Sequence, residues 1–211
     1  MQNTSRNSAK TNIAQLTDKG LRSYQRIIDI GINMIRTRGY SETSIQDICT
    51  EVGIGIGTFY HYFRSKEEML LAFIDEENKN LLNYYNQCDK SSYGNAMISV
   101  AEYYADMYLF KGVDLISHVY SMLLFSTINI GDLNENAFHQ ILQDAFIQGQ
   151  QKGEFSQTIT VDAFCNIMLG EWFYSTSLWC NDPHAYNLHE MVIDSFTQIL
   201  KLVSVSRPSS V

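Results

Sequence analysis

From Ser44 to Phe63 the chain reads Ser-Ile-Gln-Asp-Ile-Cys-Thr-Glu-Val-Gly-Ile-Gly-Ile-Gly-Thr-Phe-Tyr-His-Tyr-Phe, and this stretch decides the fold. The Ser44 hydroxyl can accept from the amide of Asp47 while the Asp47 carboxylate reaches back, the two halves of a capping box. Ile45, Ile48, Cys49 and Val52 then fall on one helical face. Gly53 can adopt the left-handed conformation that ends a helix, and Gly57–Phe63 reads as a second short helix. Cys49 is small where the second helix must cross closely, and Ile54 and Phe59 close the core beneath the turn. These are the requirements of a helix-turn-helix. With Phe59 and Phe63 taking the inward positions, Thr58, Tyr60, His61 and Tyr62 are left on the outer face, with Arg64 and Lys66 following. Hydrogen-bonding side chains of that length suit a major groove.

Working outward, about Thr17 to Arg38 carries apolar residues at helical period (Leu21, Tyr24, Ile27, Ile28, Ile32, Ile35), and Gly39 supplies the stop. Ser65 and Glu68 form a second capping pattern that opens a long helix from Lys66 to about Cys88. Five further helices are predicted over roughly 92–110, 113–129, 133–152, 160–181 and 185–204, with Asp182-Pro183 leading into the last. Only two prolines occur, and no segment alternates apolar and polar residues along its length. The expectation is therefore an all-α chain of about nine helices. It divides into a polar arm (1–17), a helix-turn-helix domain (18–66), a larger helical ligand-binding and dimerisation domain (67–205) and a tail (206–211).

The 211 residues carry a net charge of -8, which taken whole argues against a nucleic-acid partner. Its location reverses that reading: residues 1–66 hold nine basic and five acidic side chains, net +4, and the remainder holds six basic and eighteen acidic, net -12. The four cysteines, Cys49, Cys88, Cys165 and Cys180, form no C-x-x-C pair and read as reduced thiols. The polar start and the lack of a long apolar run give a cytoplasmic chain with no membrane partner.

The stretch Gly53-Ile54-Gly55-Ile56-Gly57-Thr58-Phe59-Tyr60-His61-Tyr62-Phe63-Arg64-Ser65-Lys66-Glu67-Glu68-Met69-Leu70 resembles the signature of the TetR-type bacterial repressors, as does Arg38-Gly39-Tyr40 followed by Thr43-Ser44-Ile45-Gln46-Asp47-Ile48. The resemblance covers about residues 20–72. It implies an all-helical homodimer whose amino-terminal domain binds a palindromic, double-stranded operator and whose larger domain binds a small-molecule inducer. By the same resemblance, Thr58, Tyr60, His61 and Tyr62 would contact phosphates and base edges, Thr43 or Ser44 would cap a helix against a phosphate, and Lys66 would hold the DNA backbone on the far side. The chain departs from the family at Gly55 and Ile56, where members commonly carry Ser and Lys. Fewer contacts are expected at that corner beside Gly57, and Ile56 is free to meet a thymine methyl. If the glycines lie inside the short helix they weaken it by about 1 kcal/mol each.

Other groupings carry less. Gly53-x-Gly55-x-Gly57 follows a helix rather than the strand a dinucleotide loop needs. His184 and His189 are five apart, on different helical faces, so Cys180, Asp182 and the two histidines give no metal site. His118 and His139 read as satisfied interior histidines. No nucleophile-base grouping or carboxylate pair anchors catalysis, and no cofactor is expected. Twenty of the 26 aromatic residues lie beyond residue 66. From these a largely apolar chamber is drawn with Tyr103, Met107, Tyr108, Tyr120, Phe125 and Trp172 as its candidate lining. Glu171 beside Trp172, with Glu102 and Asp106 one turn apart, would suit a lipophilic cation. The last two helices supply a four-helix interface between two copies. The competing reading is a helical dimer that binds a small molecule but no specific DNA.

Overall fold

In a computed structural model, residues 16–125 and 136–205 are described, residues 123–125 by backbone alone. The bases of the arm, Arg6 and Lys10, the side chain of Phe125 and the link between the sixth and seventh helices lie outside them. Among the described residues there are nine helices: α1 (Asp18–Arg38), α2 (Ile45–Val52), α3 (Ile56–Tyr62), α4 (Lys66–Gln87), α5 (Tyr93–Lys111), α6 (Val113–Phe125), α7 (Ala137–Gln151), α8 (Val161–Asn181) and α9 (Leu188–Val203). The only extended pairing among them is an isolated bridge, Phe155 to Ser204. The chain forms two compact units, Met1–Ile74 and Asp75–Val211, and the division falls within α4.

In the first unit, α1 packs on α2 and α2 on α3. Thr17 caps α1 and Gly39, at φ 96°, ends it. Both halves of the Ser44–Asp47 capping box are present. Gly53 is left-handed, at φ 77° and ψ 40°, where a side chain would be strained. Its amide donates to Cys49 O at 2.9 Å, and that of Ile54 to the same oxygen at 2.9 Å. This turn lets α3 return across α2 over Ile48, Cys49 and Phe59, all fully buried.

In the second unit α5 packs against α6, α7 and α9, and α8 against α6, α7 and α9. Phe146 stacks on Phe164 at 3.9 Å and on Phe155 at 5.2 Å, fastening the α7–α8 corner. The Glu154 carboxylate in that corner accepts from the Ser92 hydroxyl at 2.7 Å and the amides of Tyr93 and Gly94 at 2.8 and 2.9 Å. It thereby caps α5 from some sixty residues away. The start of α9 differs from the sequence expectation. The Asp182 carboxylate closes a local turn by accepting from the amides of His184 and Ala185, both at 3.1 Å. Asn187 caps α9 instead, five residues later, accepting from Glu190 N.

Candidate functional site

The exposed side of α3 is built by what its other side buries. Phe59 and Phe63 are sunk in the core, and Phe63 stacks on Tyr24 of α1 at 4.8 Å. Ile56, Gly57, Thr58, Tyr60 and His61 are consequently exposed, with Ile56 and Tyr60 at 44% and 52% despite their apolar surface. Tyr62, expected outside, is half-buried, because its ring meets Tyr24 edge-on at 6.0 Å. Gly55 stands at the N-cap of α3 and makes no side-chain cap, so only Gly57 weakens the helix from inside.

Of the two candidates at the head of α2, Ser44 is exposed and Thr43 is fully buried. The Thr43 hydroxyl donates to Gly39 O at 2.8 Å. The Ser44 hydroxyl accepts from Asp47 N at 3.1 Å and lies 2.5 Å from the Asp47 carboxylate. The Ser44 hydroxyl and the Ser44 amide, the latter at 3.0 Å, both donate to the Asp47 carboxylate and hold it below its usual range. Lys66 is half-buried: its ammonium donates to Tyr40 O at 2.5 Å and Thr43 O at 2.7 Å, and lies 3.8 Å from the Tyr40 ring centroid. Burial pushes its pKa down. The Tyr40 hydroxyl donates to Glu67 at 2.6 Å. At the head of α4, Ser65 accepts from Glu68 N as expected, while the Glu68 carboxylate takes the amide of Arg64 rather than that of Ser65.

In the second unit, Tyr108, Tyr120 and Trp172 are buried together. Tyr108 meets Trp172 edge-on at 5.4 Å and Tyr120 at 6.3 Å. Tyr104 and Phe138, which were not among the candidates, join them at 4.8 and 4.9 Å from the Trp172 ring. Burial pushes the phenols of Tyr104, Tyr108 and Tyr120 upward, so all three remain neutral hydroxyls. The Tyr108 hydroxyl donates to that of Tyr104 at 3.3 Å. Tyr103 turns elsewhere and stacks on Tyr84 at 4.4 Å, Met107 is half-buried against the core, and Glu171 accepts from the Ser175 hydroxyl at 2.7 Å. A cleft of about 350 Å³ lined by Tyr84, Gln87, Cys88, Asp89 and Asn95, among others, shares no residue with the aromatic group. His139, expected to be satisfied, keeps Nδ1 buried without a hydrogen-bond partner among the described residues. No group of three or more His, Cys, Asp or Glu among the described residues could hold a metal ion, and no described helix is long and apolar enough to cross a membrane.

A left-handed glycine turn between two short helices, with a polar and aromatic face presented on the second, defines a helix-turn-helix DNA-binding protein. Residues 27–73 match the family model described as "Bacterial regulatory proteins, tetR family". The chain therefore carries a DNA-binding domain of that family and is a DNA-binding transcriptional regulator, not an enzyme. That domain speaks against the reading without DNA. Along more of its length the chain is similar to the "Fatty acid metabolism regulator protein" of Bacillus subtilis (strain 168). The two are 20% identical over 175 residues, 78% of this chain and 87% of that protein. Among solved structures, that of a tetR-family transcriptional regulator from Pectobacterium atrosepticum superposes with a TM-score of 0.72 at 14% identity, covering 92% of this chain and 100% of that one. Thermus thermophilus FadR, a repressor solved in complex with lauroyl-CoA, superposes with a TM-score of 0.66 at 16% identity over 89% of this chain and 98% of its own. At such identities the structural likeness speaks for the fold.

Proposed function

We propose that the protein is a dimeric repressor that holds a palindromic operator through α3 and the head of α2 and leaves it when a largely apolar small molecule enters the second unit. The observation that carries the operator part is the exposed run Ile56–His61 held over the buried Phe59. A side chain as apolar as Ile56 and a ring as large as Tyr60 are left in water on a helix that the core has otherwise used up. Tyr60, His61 and Thr58 are the base-edge and phosphate contacts, Ile56 meets a thymine methyl, Gly57 allows close backbone approach, and Ser44 meets a phosphate. Tyr62 contributes from its half-buried position.

Two copies pair through α8 and α9. Ile167 and Tyr174, seven residues apart on α8, are 52% and 59% exposed, and Leu202 on α9 is 83% exposed, so each helix keeps apolar surface that a second copy would cover. The inducer enters beside Tyr104, Tyr108, Tyr120 and Trp172. Glu171 already holds Ser175, and Asp106 lies 3.8 Å from His189, which favours a neutral apolar group over a cation. An acyl chain is the first class to try, because a protein of the same fold is described in complex with lauroyl-CoA.

The test is a gel shift with DNA from upstream of the chain's own gene, titrated with lauroyl-CoA. Retardation at low salt, lost on addition of the ligand, is expected. No retardation removes the operator reading, and retardation indifferent to acyl-CoAs of every length removes the acyl reading. Tyr60→Ala should weaken binding and relax sequence preference together.

A further inference from the structure

The first turn of α4 grips the loop between α1 and α2. Lys66 takes the carbonyls of Tyr40 and Thr43, Glu67 takes the Tyr40 hydroxyl, and Thr43 is tied inward to Gly39. An ammonium has three protons. Two go to carbonyl oxygens, and the Tyr40 ring lies under the same nitrogen at 3.8 Å, so the directions a phosphate would need are occupied. The residue that leaves this grip is Ser44, whose hydroxyl and amide both engage Asp47 at the start of α2. The orientation of α2 is thus set from α4, across more than twenty residues of sequence.

We propose that Lys66 is a positioning residue for operator recognition. It fixes the Gly39–Ser44 loop so that Ser44 and α2 stand in register with α3, and it does not pair with a DNA phosphate. Tyr40 and Glu67 complete the device. This rests on the operator-binding reading above, and a phosphate contact is the alternative that it excludes.

The two roles differ in salt dependence. Each lysine that neutralises a phosphate contributes about 0.9 to the slope of log K against log salt, whereas a lysine bonded within the protein in both states contributes nothing. The experiment first selects bound sequences from a random duplex pool with the full-length wild-type chain. It then measures affinity for the selected operator and for a scrambled duplex at several salt concentrations, with wild type, Lys66→Met and Tyr40→Phe. Met keeps the stem and loses the ammonium. Phe keeps the ring and loses the bond to Glu67.

Lys66→Met is expected to lose about tenfold or more on the operator, less on the scrambled duplex, with the slope within about 0.3 of wild type. Tyr40→Phe is expected to narrow the operator-to-scrambled ratio in the same direction, although no part of it is placed on DNA. The proposal is overturned if Lys66→Met loses equally on both duplexes with the slope shallower by about 0.9 per lysine. It is also overturned if Tyr40→Phe keeps the wild-type ratio, which decides the matter should Lys66→Met fail to fold by circular dichroism. Failure of the wild type to enrich any sequence overturns the operator reading itself, and this proposal with it.

Discussion

Gly57→Ala should make the protein more stable and a poorer DNA binder at once. Gly57 lies inside α3, it is exposed, its φ is not among the positive ones, and a Cβ built on it meets nothing within 4 Å. The substitution therefore introduces no strain, and the helix recovers the difference between glycine and alanine, about 1 kcal/mol. If α3 opens locally, that figure corresponds to roughly fivefold slower amide exchange across Ile56–Tyr62, which mass spectrometry resolves. On DNA the same methyl stands where the backbone of α3 is proposed to approach the groove most closely. Operator affinity should fall by about tenfold, close to 1.4 kcal/mol, despite the firmer helix. Exchange that fails to slow would refute the helical assignment at Gly57. Affinity that rises along with protection would refute close approach there, and would mean that ordering of α3 limits binding.

Gly149→Ala should act on stability alone: a Cβ there would sit 2.3 Å from two ring carbons of Phe155, and overpacking of this kind costs about 1–3 kcal/mol, read as a lower Tm. Asp47 is held below its usual pKa of 3.8 by Ser44, so its contribution to the α2 cap is present above pH 3.8 and is lost as pH falls through its lower folded value. Asp47→Asn should therefore destabilise the first unit near pH 6 and converge on wild type in acid, and a penalty unchanged with pH would contradict the cap. Charging the exposed face of α8 and α9 with Ile167→Glu and Leu202→Glu should shift the mass in light scattering from twice 24.2 kDa toward 24.2 kDa. A pair of variants that remains dimeric would place the interface elsewhere.

What could be read directly from the sequence was whatever is settled within one or two helical turns. The Ser44–Asp47 box, the Gly53 turn and the inward Phe59 and Phe63 depend on spacings of three to nine residues, and all are present. What could not be read joins residues far apart. Lys66 looks like a free cation until its carbonyl partners, 23 and 26 residues back, are seen. Glu154 looks like a loop acid, yet it caps α5 from some sixty residues away. Outward periodicity on α3 leaves Tyr62 in solvent, whereas its ring is half-buried edge-on to Tyr24 of another helix. Asp182 and Asn187 are both good caps, and only the local turn that Asp182 makes with His184 and Ala185 assigns α9 to Asn187. The aromatic residues of the second unit show the same limit, since helical period cannot distinguish Tyr108, packed on Trp172, from Tyr103, turned onto Tyr84.

The reading helix is itself a product of such distant contacts. Seven residues are far too few to hold a helix in water, and α3 has an interior glycine and no side-chain cap. Its order comes from Phe59 and Phe63 in the core, from Tyr24 beneath them and from the Gly53 turn before it. A surface supported from below in this way can vary its outward residues at little cost to the fold. That is why Gly55 and Ile56 can depart from the common Ser and Lys without dissolving the helix. The departure removes one cation from each head, whose first 66 residues hold only +4. Each head is then a weak electrostatic binder alone, and two of them, joined through α8 and α9 as proposed above, would gain through effective concentration what neither has in charge. Operator binding should accordingly collapse in any variant that leaves the heads folded but separates the copies.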